Sequence, residues 1–168
     1  YLFTNYTYFK DYYTSDQYSK IFPFLQVLLS KQFRVRHFNL YADVAYQQTD
    51  GAAPLNVPAF WARGRLTYEN NLFKDHLQLC TGIGVRYNSN YYADDYSPVL
   101  SHFIVQDDEM IKNKPDFTAF VDFRIRALTA YIRAENMNTL LYNNNFAAPH
   151  YPYNNFGMRI GVKWGFIN

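Results

Sequence analysis

Three observations predict an all-β, antiparallel fold for this chain of 168 residues. Apolar and polar residues alternate with a period of two through most of the sequence, which is the pattern of β-strands. Aromatic residues, which favour strands, make up 20% of the chain. Helix signals are nearly absent, because no capping residue opens a sustained apolar stripe of helical period.

Eight segments show strand character, and most of them carry apolar side chains on one face and polar or small side chains on the other. In chain order they are residues 1–9, 24–35, 38–48, 58–69, 76–88, 116–126, 128–137 and 156–166. The first segment is rich in strand formers but alternates poorly, and Lys31 interrupts the apolar face of the second. The last segment is the clearest, since Ile160 and Val162 alternate with Gly161 and Lys163.

The five segments between these alternate cleanly. Their apolar faces consist of Phe38, Leu40, Ala42, Val44 and Tyr46; of Phe60, Ala62, Gly64, Leu66 and Tyr68; of Leu77, Leu79, Ile83, Val85 and Tyr87; of Phe117, Ala119, Val121, Phe123 and Ile125; and of Leu128, Ala130, Ile132 and Ala134. One apolar face per strand is expected where a sheet has one side in an apolar medium and the other in water.

The links between the predicted strands alternate in length. The long links, rich in Tyr, Asn, Asp and Pro, are 10–23, 49–57, 89–115 and 138–155, and the short ones are 36–37, 70–75 and 127. Long loops on one side and tight turns on the other are the layout of a transmembrane β-barrel. A ninth strand over 97–106 would place long and short links on the same side, so we prefer eight.

The alternation also fits a soluble barrel, whose apolar face points inward. Three features favour the outer-membrane arrangement, in which the apolar face points outward to lipid. The polar face carries basic beside acidic residues, the strands of about 9–13 residues can cross a bilayer when tilted, and aromatic residues cluster at strand ends. We therefore predict one domain over 1–168, an antiparallel transmembrane β-barrel embedded in outer-membrane lipid.

Charged residues on the polar face are the candidate lining of a pore. They are Asp43, Arg63, Arg65, Glu69, Arg86, Asp122, Arg124, Arg126, Arg133, Glu135, Arg159 and Lys163. Rings of charge set the selectivity of pores, whereas an ion-paired network that merely fills the interior would leave no channel. Barrel size decides between the two, because eight strands closed alone leave an interior filled by side chains and an aqueous channel needs about twice as many.

Aromatic residues at the strand ends are candidate membrane-interface residues, because an amphipathic ring suits the headgroup region. They are Phe38, Tyr46, Phe60, Tyr68, Tyr87, Phe117, Phe156, Trp164 and Phe166. The alternative is that aromatic residues are simply good strand formers. If the two faces are assigned correctly, an arginine at Ile160 should be far more costly than one at Gly161.

Several kinds of chemistry are not indicated. Sixteen basic against 14 acidic residues give a net charge of +2 with no basic tract, which does not suggest nucleic-acid binding. Cys80 is the single cysteine, and the four histidines lack metal-ligand spacing. Ser101 and His102 are neighbours whose side chains would point to opposite faces of a strand, so they cannot form a catalytic dyad. We therefore expect no enzyme activity, metal or cofactor.

A series of short motifs runs through the second half of the chain. They are Tyr96 to Pro98, Phe103 to Gln106, Pro115 to Phe117, Tyr151-Pro152, and Gly161 to Phe166 with its Gly-x-x-Trp-x-Phe pattern. In this order they resemble the β-barrel porin family of Bacteroidetes outer membranes, over at least residues 60–168. Members of that family are much longer, so the resemblance implies that this chain is the C-terminal part of a larger barrel.

The same resemblance implies a porin of the bacterial outer membrane, through which small solutes diffuse passively. The alternative is a structural or docking barrel subunit of a larger outer-membrane complex, in which case other outer-membrane proteins would be its partners. Conductance would separate the two.

The link 89–115 is too long to be structureless in a compact domain. We expect it to form an ordered extracellular excursion, which either folds inward or packs as a short hairpin over the mouth. Its acidic run, residues 107–109, would then lie near Arg86 and Arg124.

Overall fold

The computed structural model describes residues 1–142 and 145–165. Its strands in chain order are Leu2–Phe3 (β1), Tyr6–Phe9 (β2), Ser15–Tyr18 (β3), Phe22–Val35 (β4), Phe38–Thr49 (β5), Phe60–Leu72 (β6), Leu77–Asn88 (β7), Tyr91–Tyr92 (β8), Asp95–Ser97 (β9), His102–Ile104 (β10), Met110–Ile111 (β11), Asp116–Ile125 (β12), Leu128–Glu135 (β13), Phe146–Ala148 (β14), Tyr151–Pro152 (β15) and Gly157–Trp164 (β16). A 3₁₀ turn over Met137–Leu140 interrupts the link before β14.

One antiparallel sheet of eight strands holds the long elements together, in the order β1-β4-β5-β6-β7-β12-β13-β16. Each long strand pairs with the next long strand along the chain, and every pairing is antiparallel. The predicted all-β, antiparallel class is confirmed. Among the described strands the sheet is open, with β1 at one edge and β16 at the other.

The prediction of a sheet strand over residues 1–9 is wrong. Only Leu2–Phe3 joins the sheet, opposite Phe22 and Pro23 of β4. Asn5 then takes a left-handed conformation, with φ of 53°. This bend ends the strand, and β2 turns away to pair with β3.

The short links are tight turns built on left-handed residues that are not glycine. Arg36 between β4 and β5 has φ of 53°, and Arg126 between β12 and β13 has φ of 50°. Tight hairpin turns require such positive φ values because they match the twist of the strands they join. The placement of Arg126 on the polar face of a strand is therefore wrong, since this residue forms the turn at the end of the sheet.

Three of the four long links carry their own two-stranded ladders at the opposite end of the sheet. β2 pairs with β3, and β14 pairs with β15. In the link 89–115, β8 pairs with β11 and β9 pairs with β10, so one ladder is nested inside the other. The excursion that we expected is thus an ordered hairpin. We refer to the described residues of 4–21, 50–59, 89–115 and 136–156 together as the cap.

Side-chain amides join the links of the cap to one another. Asn113 donates to the carbonyl of Phe146 at 2.7 Å and accepts from its N–H at 2.8 Å. Asn145 makes the same reciprocal pair with Lys114, at 2.8 and 2.9 Å. Each amide thereby satisfies backbone groups that a loop would otherwise leave unpaired.

A second set of contacts ties the hairpin β9–β10 to the hairpin β2–β3. The N–H of Val105 donates to the carbonyl of Phe9 at 3.0 Å, and the rings of Phe9 and His102 stack at 3.7 Å. The hydroxyl of Tyr12 donates to Asp95 at 2.8 Å, and this hydrogen bond raises the pKa of Tyr12. The cap is therefore one connected assembly.

The fully buried aromatic packing lies where the cap meets the sheet. Phe22 has no exposed surface, and the rings of Phe3, Tyr6 and Tyr18 surround it at 5.4, 5.8 and 5.6 Å. By contrast, the apolar face of the sheet has no second layer over it among the described residues, and Ile160 is 69% exposed. Within 1–142 and 145–165, no helix is both long and apolar enough to cross a membrane.

Gly82 allows two strands and an aromatic ring to approach closely. A Cβ at this position would lie 3.1 Å from Phe120 Cζ and would overlap the carbonyl oxygen of Leu66. At Gly84, on the same face of β7, a Cβ would meet nothing nearer than the carbonyl oxygen of Gly64, at 3.7 Å. The two glycines therefore differ in how much space they leave.

We predict that Gly82→Ala destabilises the folded protein by about 1–3 kcal/mol, because the added methyl group forces the strands apart. Gly84→Ala should be neutral or stabilising by up to about 1 kcal/mol, because it only restricts the unfolded chain. Guanidinium unfolding in detergent micelles measures both variants. Equal losses at the two positions would contradict the packing described here.

Candidate functional site: the polar face of the sheet

The register of the sheet brings charged residues of different strands side by side. Asp43 of β5 lies opposite Arg63 of β6, Arg63 lies opposite Arg86 of β7, and Arg86 lies opposite Asp116 of β12. Because residues directly opposite each other point to the same side of a sheet, these four side chains share one face.

Carboxylates flank the two central arginines of this row. The guanidinium of Arg63 donates from Nε and Nη2 to one oxygen of Asp43, at 3.0 and 2.7 Å. Arg86 donates from Nη2 to Asp116 at 2.5 Å. The outer carboxylates thus offset the repulsion between the adjacent cations.

Asp116 was missing from the predicted lining. The signal that could have found it was its even-numbered position on the segment 116–126, which it shares with Asp122 and Arg124. The structure makes it the most buried of the charged residues in its row, with 11% of its side chain exposed.

Arg65 and Arg133 are held by aromatic rings instead of carboxylates. The Cζ of Arg65 lies 4.8 Å from the ring centre of Tyr41. The Cζ of Arg133 lies 6.0 Å from the ring centre of Phe120 and 5.8 Å from that of Tyr131. Among the described residues, neither guanidinium lies within 4.0 Å of a carboxylate oxygen.

β16 completes the face at the edge of the sheet. Arg159 lies opposite Arg133 and donates from Nε to Glu135 at 2.9 Å. Lys163 lies opposite Thr129, close to the short turns. As in the central row, a carboxylate therefore offsets one of two adjacent arginines, here through a diagonal ion pair.

The space beside Gly161 is occupied, although glycine itself has no side chain to fill it. The ring of Tyr131, its cross-strand partner, occupies the space where a side chain would be, and a Cβ on Gly161 would overlap that ring. An arginine at Gly161 would have to displace the ring of Tyr131, so the comparison of Gly161 with Ile160 stays a prediction and Gly161 is a poor control position.

The remaining predicted residues lie toward the short turns. Glu69 accepts a hydrogen bond from the hydroxyl of Thr67 at 3.2 Å. The Nε of Arg124 donates to the carbonyl of Arg126 at 3.2 Å. Asp122 stands opposite Cys80 of β7. These groups line a groove on the polar face, whereas Arg126 lines a second groove that shares Arg124 with the first.

The acidic run of the link 89–115 does not contact the arginines expected for it. Glu109 lies 3.9 Å from the ring nitrogen Nε2 of His150, within the cap. Arg86 is bound by Asp116, and Arg124 stands at the opposite end of its strand from the cap. The expectation failed because the hairpin β8–β11 directs the run toward the neighbouring link.

The predicted interface aromatics lie on the apolar face, near the two ends of the strands. Phe38 packs on Tyr68 at 5.1 Å at the short-turn end, where Trp164 also stands. At the cap end, Phe60 packs on Tyr87 at 6.5 Å. Tyr46 and Phe117 also stand at the cap end, Phe156 lies immediately before β16, and Phe166 lies outside the described residues. Their role at a membrane interface stays a prediction.

The part of the chain that the structure describes contains no group of three metal-ligating side chains. A comparison with protein families matched residues 1–168 to the family described as "Putative porin". No match was found among curated proteins. None was found among solved structures. Since the family match spans the entire sequence, the chain belongs to this porin family.

Proposed function

We propose that this protein is a porin of the bacterial outer membrane and that its sheet forms part of the wall of a water-filled barrel. Small solutes would diffuse through that barrel passively, without cofactor or energy source. The observation that carries this proposal is the two-faced sheet, apolar on one side and charged on the other, in a chain of the porin family.

The apolar face supports a lipid contact. Leu29, Ile160 and Val162 are each more than 65% exposed, although they stand in the middle of long strands. Contiguous apolar surface of this kind is rare on soluble monomers. A bilayer provides the apolar medium that the absent second layer would otherwise supply.

The charged face supports a contact with water. The side chains of Arg63 and Arg86 remain 64% exposed although each is paired with a carboxylate, and that of Arg159 is 68% exposed. These charges therefore suit the wall of an aqueous lumen.

The directions of the strands determine how such a barrel can close. Each of the six pairings that link β4 to β16 is antiparallel, so β4 and β16 run in the same direction and cannot pair antiparallel with each other. An all-antiparallel barrel around these seven strands needs an odd number of further strands. The strand beside β4 must run in the direction of β1.

The backbone of β4 supports a position for that strand at the edge of β4 that faces away from β5. The N–H and C=O of Phe24 bond to Tyr1, each at 2.9 Å. In an antiparallel ladder every second residue points to the same edge. The backbone groups of Gln26, Leu28, Ser30, Gln32 and Arg34 thus also point away from β5. Unpaired groups of this kind cannot remain in lipid, because each costs several kcal/mol.

A docking role is the second candidate, favoured by the exposed apolar tip of the hairpin β9–β10. Val99 is 88% exposed there and Phe103 61%, on a cap whose links are bonded together. Such an exposed apolar projection suits contact with another outer-membrane protein.

Planar-bilayer recording of the purified protein separates the two candidates. We expect stepwise insertion of open channels whose current is proportional to voltage and needs no energy source. Insertion without conductance, together with co-purification of a second outer-membrane protein, would instead favour the docking role.

The closing strand can be detected by NMR of the protein in lipid nanodiscs. Amide protons of Gln26, Leu28 and Ser30 should show nuclear Overhauser contacts to an antiparallel strand other than β5. The control residues Leu25 and Val27 should show contacts to β5 only. Contacts from the first set to β16, or to no strand, would contradict the proposed closure.

The orientation of the faces can be tested by adding one charge to each. Ile160→Arg should lower stability by about 2–4 kcal/mol or prevent insertion, since it places a charge near mid-bilayer. Thr118→Arg is the matched control, because Thr118 faces the groove on the charged side opposite Gly84. Unfolding in lipid vesicles measures both, and equal losses would refute the assignment of the two faces.

A further inference from the structure

We propose that the charged face contains a binding site for the anionic group of a solute, a carboxylate, sulfate or phosphate, formed by Arg65, Arg86 and Arg133 around Gly84. The inference rests on the proposed porin function, since it assumes that this face meets the solute. It names the class of solute that the channel favours.

The site is an indentation of the wall. A groove of about 410 Å³ runs across β6, β7, β12 and β13, and the three arginines line it. Gly84 forms its floor, between its cross-strand partners Arg65 and Thr118. Because a Cβ at Gly84 would meet only open space out to 3.7 Å, the missing side chain leaves room for a ligand.

Two of the arginines keep their hydrogen-bond donors available. Arg65 lies over the ring of Tyr41, and Arg133 lies within cation–π distance of Phe120 and Tyr131. A cation–π contact acts on the charge of the guanidinium and leaves its five N–H donors to bind acceptors. The rings therefore hold both cations in place without neutralising them.

The neighbouring carboxylates leave the groove positive. Asp116 neutralises Arg86, and Glu135 is bound by Arg159 at 2.9 Å. Asp122 also lines the groove, but it stands toward the short turns, four residues further along β12 than Thr118. Its charge would repel an anion from that end, so the anion belongs near Gly84, between Arg65 and Arg133.

Such a site would act on permeation by raising the local concentration of anions. Conduction requires binding that is favourable enough for entry and weak enough for release. Among the described residues, two of these arginines have no carboxylate partner and one is paired, and on an exposed wall they can bind an anion weakly enough for release.

Reversal potentials in a potassium chloride gradient measure the selectivity. The protein should favour chloride over potassium, and the double variant Arg65→Gln/Arg133→Gln should lower the permeability ratio about two- to fivefold, since the lining charge sets it. The control Lys163→Gln removes one charge from the same face outside the groove and should change the ratio less. An unchanged ratio in the double variant would overturn the proposal.

Binding of inorganic pyrophosphate to the detergent-solubilised protein tests the site without relying on conductance. We expect saturable binding, observed by phosphorus NMR, that the double variant weakens about tenfold or more. Gly84→Leu fills the floor without changing any charge and should weaken binding too. If the protein conducts but binds no pyrophosphate, this proposal is wrong and the porin function stands. If it binds but does not conduct, the site stands and the porin function is wrong.

Discussion

The strict alternation of side chains across one hydrogen-bonded sheet is the constraint on which the rest of the structure depends. Where neighbouring strands pair, each residue directs its side chain to one face or the other, with no intermediate choice. Ile160 and Val162 therefore share a face, while Arg159 and Lys163 share the opposite one. A shift of one residue in any strand would move its charges to the apolar side, so the register is strongly specified.

Glycine residues determine the packing of the charged face as much as its charged residues do. Gly161 makes room for the ring of Tyr131, and Gly82 lets β6 and Phe120 approach. Gly84 leaves its space empty, between arginines that aromatic rings hold in position. The charged face is thus closely packed at Gly161 and Gly82 and open at Gly84. This arrangement determines where a solute could approach the charged groups.

The local period of the sequence predicted the seven long strands, because alternation depends only on neighbouring residues. The local period could not predict features that depend on residues distant along the chain. The bend at Asn5 takes β2 out of the sheet, and β2 then pairs with β3 through residues up to 12 positions away. The reciprocal amide bonds of Asn113 and Asn145 join links 31 or more residues apart, and no spacing rule reveals them. The use of Arg126 as a turn residue was missed because the strand pattern continues through it.

The central claim, that one face meets lipid and the other water, can be tested with the two native tryptophans. Trp164 stands on the apolar face and is 64% exposed, whereas Trp61 shares the face of Arg63. Fluorescence of Trp61→Phe and of Trp164→Phe reports each tryptophan alone in lipid vesicles. Lipids brominated near the headgroup should quench Trp164, while aqueous acrylamide should quench Trp61 and leave Trp164 largely unaffected. Quenching of Trp61 by the lipid and of Trp164 by acrylamide would contradict the claim.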